Sequence, residues 1–426
     1  MPDGSATVHL YRPKLLTVAA EGYSLDHFRK DVTAALTVAI VALPLSMAFA
    51  IASGVTPERG LYTAVVGGFL VSALSGSRYQ IGGPAGAFIL LVSATGTRFG
   101  LEGLFLTVLM SGVLLTLVGL SRLGSLIRHI PHAVTVGFTA GIAIVILSSQ
   151  LRDLGGVHLS GAEPGPLWPK LMALGGAWRT VNPAALAIGV GSAALIFLQR
   201  RFRPTWPGML MAVILASVLA AVLHLPVETI GRRFGELPHG LPRPSLPPVS
   251  PALLLAVLPS ALSFTLLGGV ESLLSAKVAD SMTGRKHRSN MELVAQGIAN
   301  IGSAIFGGIA VTGTIARTAT NVRAGAKSPL SGMMHALFLL LFLLVAAPLA
   351  AYVPLSALAG VLVVVCWYMV EKKEFVALLR GWPSMAVLLS TFGLTIFRDL
   401  TTGIIAGCVL AALLSFFHRG VAEEGV

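Results

Sequence analysis

Two charged side chains stand in stretches of this chain that are otherwise apolar. Glu271 sits within Leu266, Leu267, Gly268, Gly269, Val270, Glu271, Ser272, and Arg317 follows directly on Thr312, Gly313, Thr314. Ionisable groups in such surroundings are costly, and they mark substrate or ion pathways by default. Desolvation penalises a carboxylate's charged form, so Glu271 is the candidate for taking up and releasing a proton. The bland reading is a structural Glu held by a neighbour such as Arg317. Arg317 itself suits an anion, against the bland reading of a side chain snorkelling to an interface. His335 and His224 are titratable near neutral pH but read more readily as hydrogen-bonded structural residues. His129 and His132 flank Pro131 without a third ligand, which gives no metal site. Cys366 and Cys408 lie in apolar runs without metal-ligand spacing and read as two buried thiols. The sequence has no Ser/His/Asp arrangement that can be placed, no P-loop and no His-x-x-x-His, so no enzyme and no cofactor is expected.

The elements that must hold these groups are membrane helices. Of 426 residues 55% are hydrophobic and 11% charged, and mean hydropathy is +0.83, whereas globular chains carry about 25% charge. The net charge of +12 fits loops facing an anionic cytoplasmic leaflet better than a nucleic-acid partner. Apolar segments fall at about 33–53, 60–75, 84–97, 103–120, 132–150, 183–199 and 207–224. A second set falls at about 253–278, 292–310, 315–326, 331–348, 354–370, 384–397 and 400–417. Residues 1–30 are mixed and polar and read as a cytoplasmic N-terminal segment rather than a leader. Residues 31–224 and 251–418 then form two repeats, 225–250 a Pro-rich external linker, and 419–426 a cytoplasmic tail. With the N-terminus inside, 20 Lys and Arg face inward and 9 outward, which places both termini in the cytoplasm of an inner-membrane protein.

Seven crossings per half is odd, so two similar halves must be inserted upside down relative to each other. In each half the third segment is short and interrupted. Gly82, Gly83, Pro84, Ala85, Gly86 opens one, and Gly307, Gly308, then Thr312, Gly313, Thr314 precedes the other. Neither run spans a hydrocarbon core of about 30 Å at about 1.5 Å per residue. Matched broken segments are the best sequence pointer to a transporter's binding site. Each break leaves unpaired backbone N–H groups and the positive end of a helix dipole, and two such ends facing each other suit an anion. Pro84 fits a first helical turn, where no N–H is needed. The candidate binding positions are therefore Pro84, Ala85 and Gly86 with Thr314, Ile315, Ala316 and Arg317. Gly137 with Gly141, and Gly403 with Gly407, read as helix-packing pairs.

The run Pro57, Glu58, Arg59, Gly60, Leu61, Tyr62, Thr63, Ala64, then Gly76, Ser77, Arg78 and Gly83, Pro84, resembles the signature of the SulP anion transporters. These are relatives of solute carrier family 26, prestin included. Ala42 to Ala50, Asn300 to Gly302, Arg317 and Gly325 to Lys327 extend the resemblance over nearly the whole chain. It implies an all-α polytopic fold of 14 segments as a 7+7 inverted repeat. In that fold a core domain (segments 1–4 and 8–11) moves against a gate domain (segments 5–7 and 12–14). The resemblance also implies a homodimer, and it puts Phe49 in the pocket lining. Leu45 and Ala85 depart from prestin-like members, which carry Gln and an aromatic there, so substrate identity does not transfer. Family members usually continue into a STAS domain. This sequence ends at Val426 and reads as the membrane domain.

The resulting expectation is a secondary active transporter of small anions, of the sulfate, bicarbonate, chloride or dicarboxylate class. It works by alternating access, with a proton as coupling ion through Glu271. Ser272, Ser275 and Thr312 are the oxygens that a sodium-coupled version would use. A nucleobase permease of the same fold, or an anion channel, are the alternatives.

Overall fold

The helices start and stop where local chemistry dictates. The first, α1, covers Lys14–Glu21. In α2 (Leu25–Ala52) the Ser24 hydroxyl accepts the His27 N–H and Asp26 lies in the positive first turn. Pro57 opens α3 (Pro57–Tyr62) at a position that needs no N–H. A π-helical turn at Thr63–Gly67 joins it to α4 (Gly68–Leu74). The long stretch α5 (Ile89–Leu120) turns at Gly100, whose φ of 69° no helix adopts, and is therefore two helices. This break falls between the two apolar segments read from the sequence.

Next come α6 (His132–Gly155), α7 (Leu167–Gly176), α8 (Pro183–Phe202), α9 (Gly208–Val222) and a short α10 (Ile230–Phe234). The remainder is α11 (Pro251–Thr283), α12 (Ser289–Ile305), α13 (Ile315–Arg323), α14 (Leu330–Val345), α15 (Ala347–Ala350), α16 (Leu355–Met369), α17 (Lys372–Leu378), α18 (Trp382–Phe397) and α19 (Leu400–Glu423). The computed structural model describes residues 11–124, 131–161, 163–164, 167–203, 206–398 and 400–423, with backbone alone for 400–401 and 416–423. Residues 1–10 of the N-terminal segment, His129 and the last residues of the tail lie outside it. Among the described residues six helical stretches are long and apolar enough to cross a bilayer, Leu25–Ala52, His132–Gly155 and Pro251–Thr283 being three of them. The architecture is that of an all-α membrane protein.

At its centre lies a sheet of two strands with two residues each. Gly82–Gly83 (β1) pairs antiparallel with Thr312–Gly313 (β2), Gly82 opposite Gly313 and Gly83 opposite Thr312. Thr314 N–H extends the pairing to the Ile81 carbonyl at 3.0 Å. Asn300 of α12 brackets β2 from outside, donating to the Val311 carbonyl at 2.8 Å and accepting the Val311 N–H at 3.0 Å. The pair lies flat on α4 because Gly68 has no side chain. A Cβ there would sit 2.9 Å from the Gly82 carbonyl oxygen.

Around this centre one apolar core runs through α2, α5, α6, α16 and α18, from Met47 and Phe49 to Ile146, Val361 and Leu388. The expected glycine pairs do pack helices. Gly137 and Gly141 of α6, and Gly403 and Gly407 of α19, seat against α18 at Leu388, Thr391 and Thr395. A buried carboxylate that the sequence reading passed over, Asp31 at the start of α2, accepts the Lys327 and Ser328 N–H groups at 2.6 and 3.1 Å and the Tyr23 hydroxyl at 2.7 Å. It pins the α13–α14 loop to α2. Of the two expected buried thiols, Cys366 is buried but Cys408 is half-exposed on α19.

The tightest point of the centre is Gly313, where a Cβ would lie 1.5 Å from Gln80 Nε2. Gly313→Ala is expected to expel the Gln80 side chain, part the strands and cost about 1–3 kcal/mol. Thermal unfolding in detergent measures this as a lowered midpoint. An unchanged midpoint means that the strand pair does not hold the centre.

Candidate functional site

The two strands deliver the chain into two helices whose first turns have no side-chain cap. After β1, Pro84 and an extended Ala85 lead into a 3-10 turn, Gly86–Phe88, that feeds α5. After β2, an extended Thr314 leads into α13, and its hydroxyl is turned away to the Ile81 carbonyl at 3.3 Å. Side-chain caps occur on α2 (Ser24), α8 (Asn182), α10 (Thr229) and α11 (Ser250), while α3, α6, α9, α12, α14, α16 and α18 also lack one, so what sets the two breaks apart is that their bare ends meet. Two bare, positively polarised ends at one place are an arrangement for negative charge.

Arg317 joins them. It is buried, 2% exposed, and its Nη2 donates to the Ser46 hydroxyl of α2 and the Pro84 carbonyl, both at 3.3 Å. Its Nη1 has no partner. That nitrogen lies over Gly83, where a Cβ would come within 2.2 Å of it. Among the described residues no carboxylate lies within ion-pair distance of Arg317. The snorkelling reading therefore fails, because the guanidinium turns inward, and so does the reading in which Arg317 pairs with Glu271.

The remaining candidates spread around this point. Phe49, Pro84, Ala85, Gly86 and Thr314 are buried, Ile315 is half-buried and Ala316 exposed. A Cβ on Gly86 would meet Phe49 Cε1 at 3.4 Å, Ile146 Cδ1 at 3.5 Å and Met369 Sδ at 3.6 Å. The first turn ahead of α5 thus abuts α2, α6 and α16 together. Glu271 projects from α11 with its Oε2 buried and unpartnered. One turn along, a polar web ties α11 to the strands. Ser272 Oγ meets Thr312 Oγ1 at 2.7 Å and accepts the Gly313 N–H at 3.2 Å. Gln80 Nε2 donates to the Ser272 carbonyl at 3.0 Å, and the single proton of Ser275 Oγ lies between Gln80 Oε1 and Thr318 Oγ1, each 3.1 Å away. The three hydroxyls that sodium would need are thus engaged with one another, with Gln80 and with Thr318.

Two features escaped the sequence reading. Gln80 precedes the break and carries no apolar-run signal, yet it is the hub of the web. Glu292, like Asp31, is a fully buried carboxylate, so Glu271 is not alone among the membrane helices. It differs in being satisfied: it accepts from Ser75 at 2.5 Å and from Gln296 at 3.0 Å. His132 pairs at the surface with Glu374 at 3.4 Å, and His224 is exposed at the end of α9. No cluster of three metal-ligating side chains occurs among the described residues.

A multi-pass helical fold whose two broken segments meet at a buried, uncompensated cation defines a membrane anion transporter. Residues 28–391 match the model of the sulfate permease family. The chain belongs to that family. It is 43% identical to a Bacillus subtilis relative that carries the name "Putative sulfate transporter YvdB", over 95% of this chain and 76% of that one. It is 32% identical to the bicarbonate transporter BicA of Picosynechococcus sp., over 91% of this chain and 71% of that one. The transmembrane domain of a cyanobacterial BicA superposes with a TM-score of 0.78 at 29% identity, covering 91% of this chain and 98% of that domain. Murine Solute Carrier 26 family member A9 in the inward-facing state shares the fold, with a TM-score of 0.88 at 18% identity over 98% of this chain and 73% of that one.

Ala85 is buried, and a Cβ on the next residue, Gly86, would already touch Phe49, Ile146 and Met369, so a bulky side chain at position 85 finds no open space. Ala85→Trp is expected to abolish anion uptake into proteoliposomes without changing charge. Unaltered uptake kinetics would move the site away from the break.

Proposed function

We propose that the protein is a secondary active transporter that carries a small oxyanion of the sulfate or bicarbonate class across the cell's inner membrane by alternating access. In this reading both termini are cytoplasmic, the 14 segments form a 7+7 inverted repeat, and the anion binds between the N-termini of half-helices 3 and 10. The observation that carries it is Arg317, a buried guanidinium with an open Nη1 beside two uncapped helix ends. A buried charge without a partner costs several kcal/mol, and a bound anion supplies the missing partner. The names of the relatives support the sulfate and bicarbonate classes over chloride or dicarboxylate. Pockets for nucleobases call for shaped hydrogen-bonding edges rather than a bare cation, which disfavours the permease alternative.

Driving an anion into a negative-inside cell opposes about 2.3 kcal/mol per charge per 100 mV, so uptake needs a compensating cation. Glu271 supports a proton in that role, because its carboxylate has a buried oxygen that no protein donor satisfies. A pure channel has no use for such a group. The core and gate bodies would move past each other where Gly86 meets Ile146 and Met369. The family resemblance supports a homodimer.

Truncating one partner of a buried charge pair costs about 2–5 kcal/mol. Arg317→Ala is therefore expected to lower uptake at sub-saturating anion by about thirtyfold or more while the protein stays monodisperse in detergent. Normal uptake by that variant would exclude the site.

The coupling is tested separately. Glu271→Gln is expected to keep anion exchange while losing the stimulation of uptake by an acidic exterior. A variant that responds to a pH gradient as the parent does would make Glu271 structural.

A further inference from the structure

Where α8 and α16 end side by side, their aromatic and cationic side chains form one continuous ladder. Phe197 of α8 meets Trp367 edge-on at 6.1 Å and Tyr368 at 5.9 Å, both from the last turn of α16. A cation closes each side. The Arg200 guanidinium lies 3.9 Å from the centre of the Tyr368 ring, and Lys372 Nζ lies 3.0 Å from that of Trp367. Such stacking engages a cation on one face and leaves its other N–H groups free for a ligand.

The charge at this place is not balanced from within. Arg200 and Arg201 occupy the last turn of α8, Arg203 follows it, and Lys372 and Lys373 open α17. Among the described residues none of these cations is in an ion pair. The acidic side chains of the stretch are Glu371 and Glu374, and Glu374 lies 3.4 Å from His132 at the start of α6. Positive charge suits the last turn of α8, whereas the lysines stand at the end of α17 where the helix dipole is itself positive. Helix chemistry thus accounts for the arginines and leaves the lysines unexplained.

The ladder is also open to its surroundings. Trp367 is 56% and Phe202 69% exposed, and Leu198, one turn before Phe202 on the same face of α8, is exposed as well. Gln199 Nε2 donates to the carbonyls of Arg203 and Trp206, which keeps the chain after α8 close to its end. Tryptophan and tyrosine gather where the hydrocarbon of a bilayer meets its headgroups. A basic pocket between helices at that level suits an anionic headgroup.

We propose that this ladder is a binding site for an anionic phospholipid. The headgroup phosphate is bound by Arg200 and Lys372, and the acyl chains run along Leu198, Phe202 and Trp367. A soluble phosphate would engage the same cations but has no use for the exposed apolar side chains beside them, and a lipid uses both. The bound lipid ties α8 to the α16–α17 junction. It does so whether or not Arg317 holds the transported anion.

The test is native mass spectrometry of the full chain, stripped of lipid in detergent and titrated with phosphatidylglycerol or phosphatidylcholine of equal chain length. The parent should bind phosphatidylglycerol about tenfold more tightly, and Arg200→Gln combined with Lys372→Gln should bring the ratio close to one. Arg98 and Arg179 stack singly on Phe99 and Trp178, at 5.0 and 5.9 Å, and supply the control. Arg98→Gln combined with Arg179→Gln should keep the parent's ratio. A parent without preference overturns the proposal, as does a preference that survives the first double variant or falls equally in the second. Glycerol phosphate tests the soluble source: if it displaces phosphatidylglycerol at equal concentration, the site belongs to a free phosphate and the lipid assignment fails. The same spectra count chains. A first double variant that loses a dimer while keeping its lipid makes the ladder a contact between copies, which also overturns the proposal.

Discussion

A buried guanidinium with no counter-charge among the described residues is the constraint around which the fold is arranged. Arg317 would be intolerable in a closed apolar core. Here it is held by two long hydrogen bonds to Ser46 and Pro84, with Nη1 left open. The antiparallel pairing of Gly82–Gly83 with Thr312–Gly313 brings two uncapped helix ends to the same point beside it. The Gln80, Ser272, Ser275 and Thr318 web fixes the strands to α11, and Asn300 fixes β2 to α12. Charge, dipoles and strand pairing therefore act as one unit rather than as separate features.

Much of this was legible in the sequence because its causes are local. Gly-Pro after a glycine run and Thr-Gly-Thr before a short apolar run each announce a helix that begins inside the membrane. The break at Gly100 sits where apolar periodicity lapses. What could not be read was long-range. Nothing near Gly82 says that it faces Gly313, and Gln80 looks like any loop polar residue until Gly313 is placed on top of it. Asp31 and Glu292 sat at the edges of apolar runs, where a carboxylate is ordinarily taken for a solvated cap. Burial and partners 217 and 297 residues away in sequence reveal them as internal ties.

The contrast among the buried acids sharpens the functional reading. Asp31 and Glu292 are satisfied by hydroxyl, amide or backbone donors, which is what structural carboxylates require. Glu271 is not. A carboxylate oxygen left unsatisfied is where an ion's arrival can be felt, and α11 carries Glu271 in the same helix that anchors the strand pair. Proton and anion would thus act on one connected element, which is what coupling between two ligands requires.

The most direct test of the central claim is to see the anion. A structure determined with selenate, located by its anomalous scattering, should show one selenium peak whose oxygens lie about 3 Å from Arg317 Nη1 and from the first-turn N–H groups at Gly86 and at Ile315 or Ala316. A selenate bound elsewhere, with Arg317 Nη1 still unpartnered, would contradict the account.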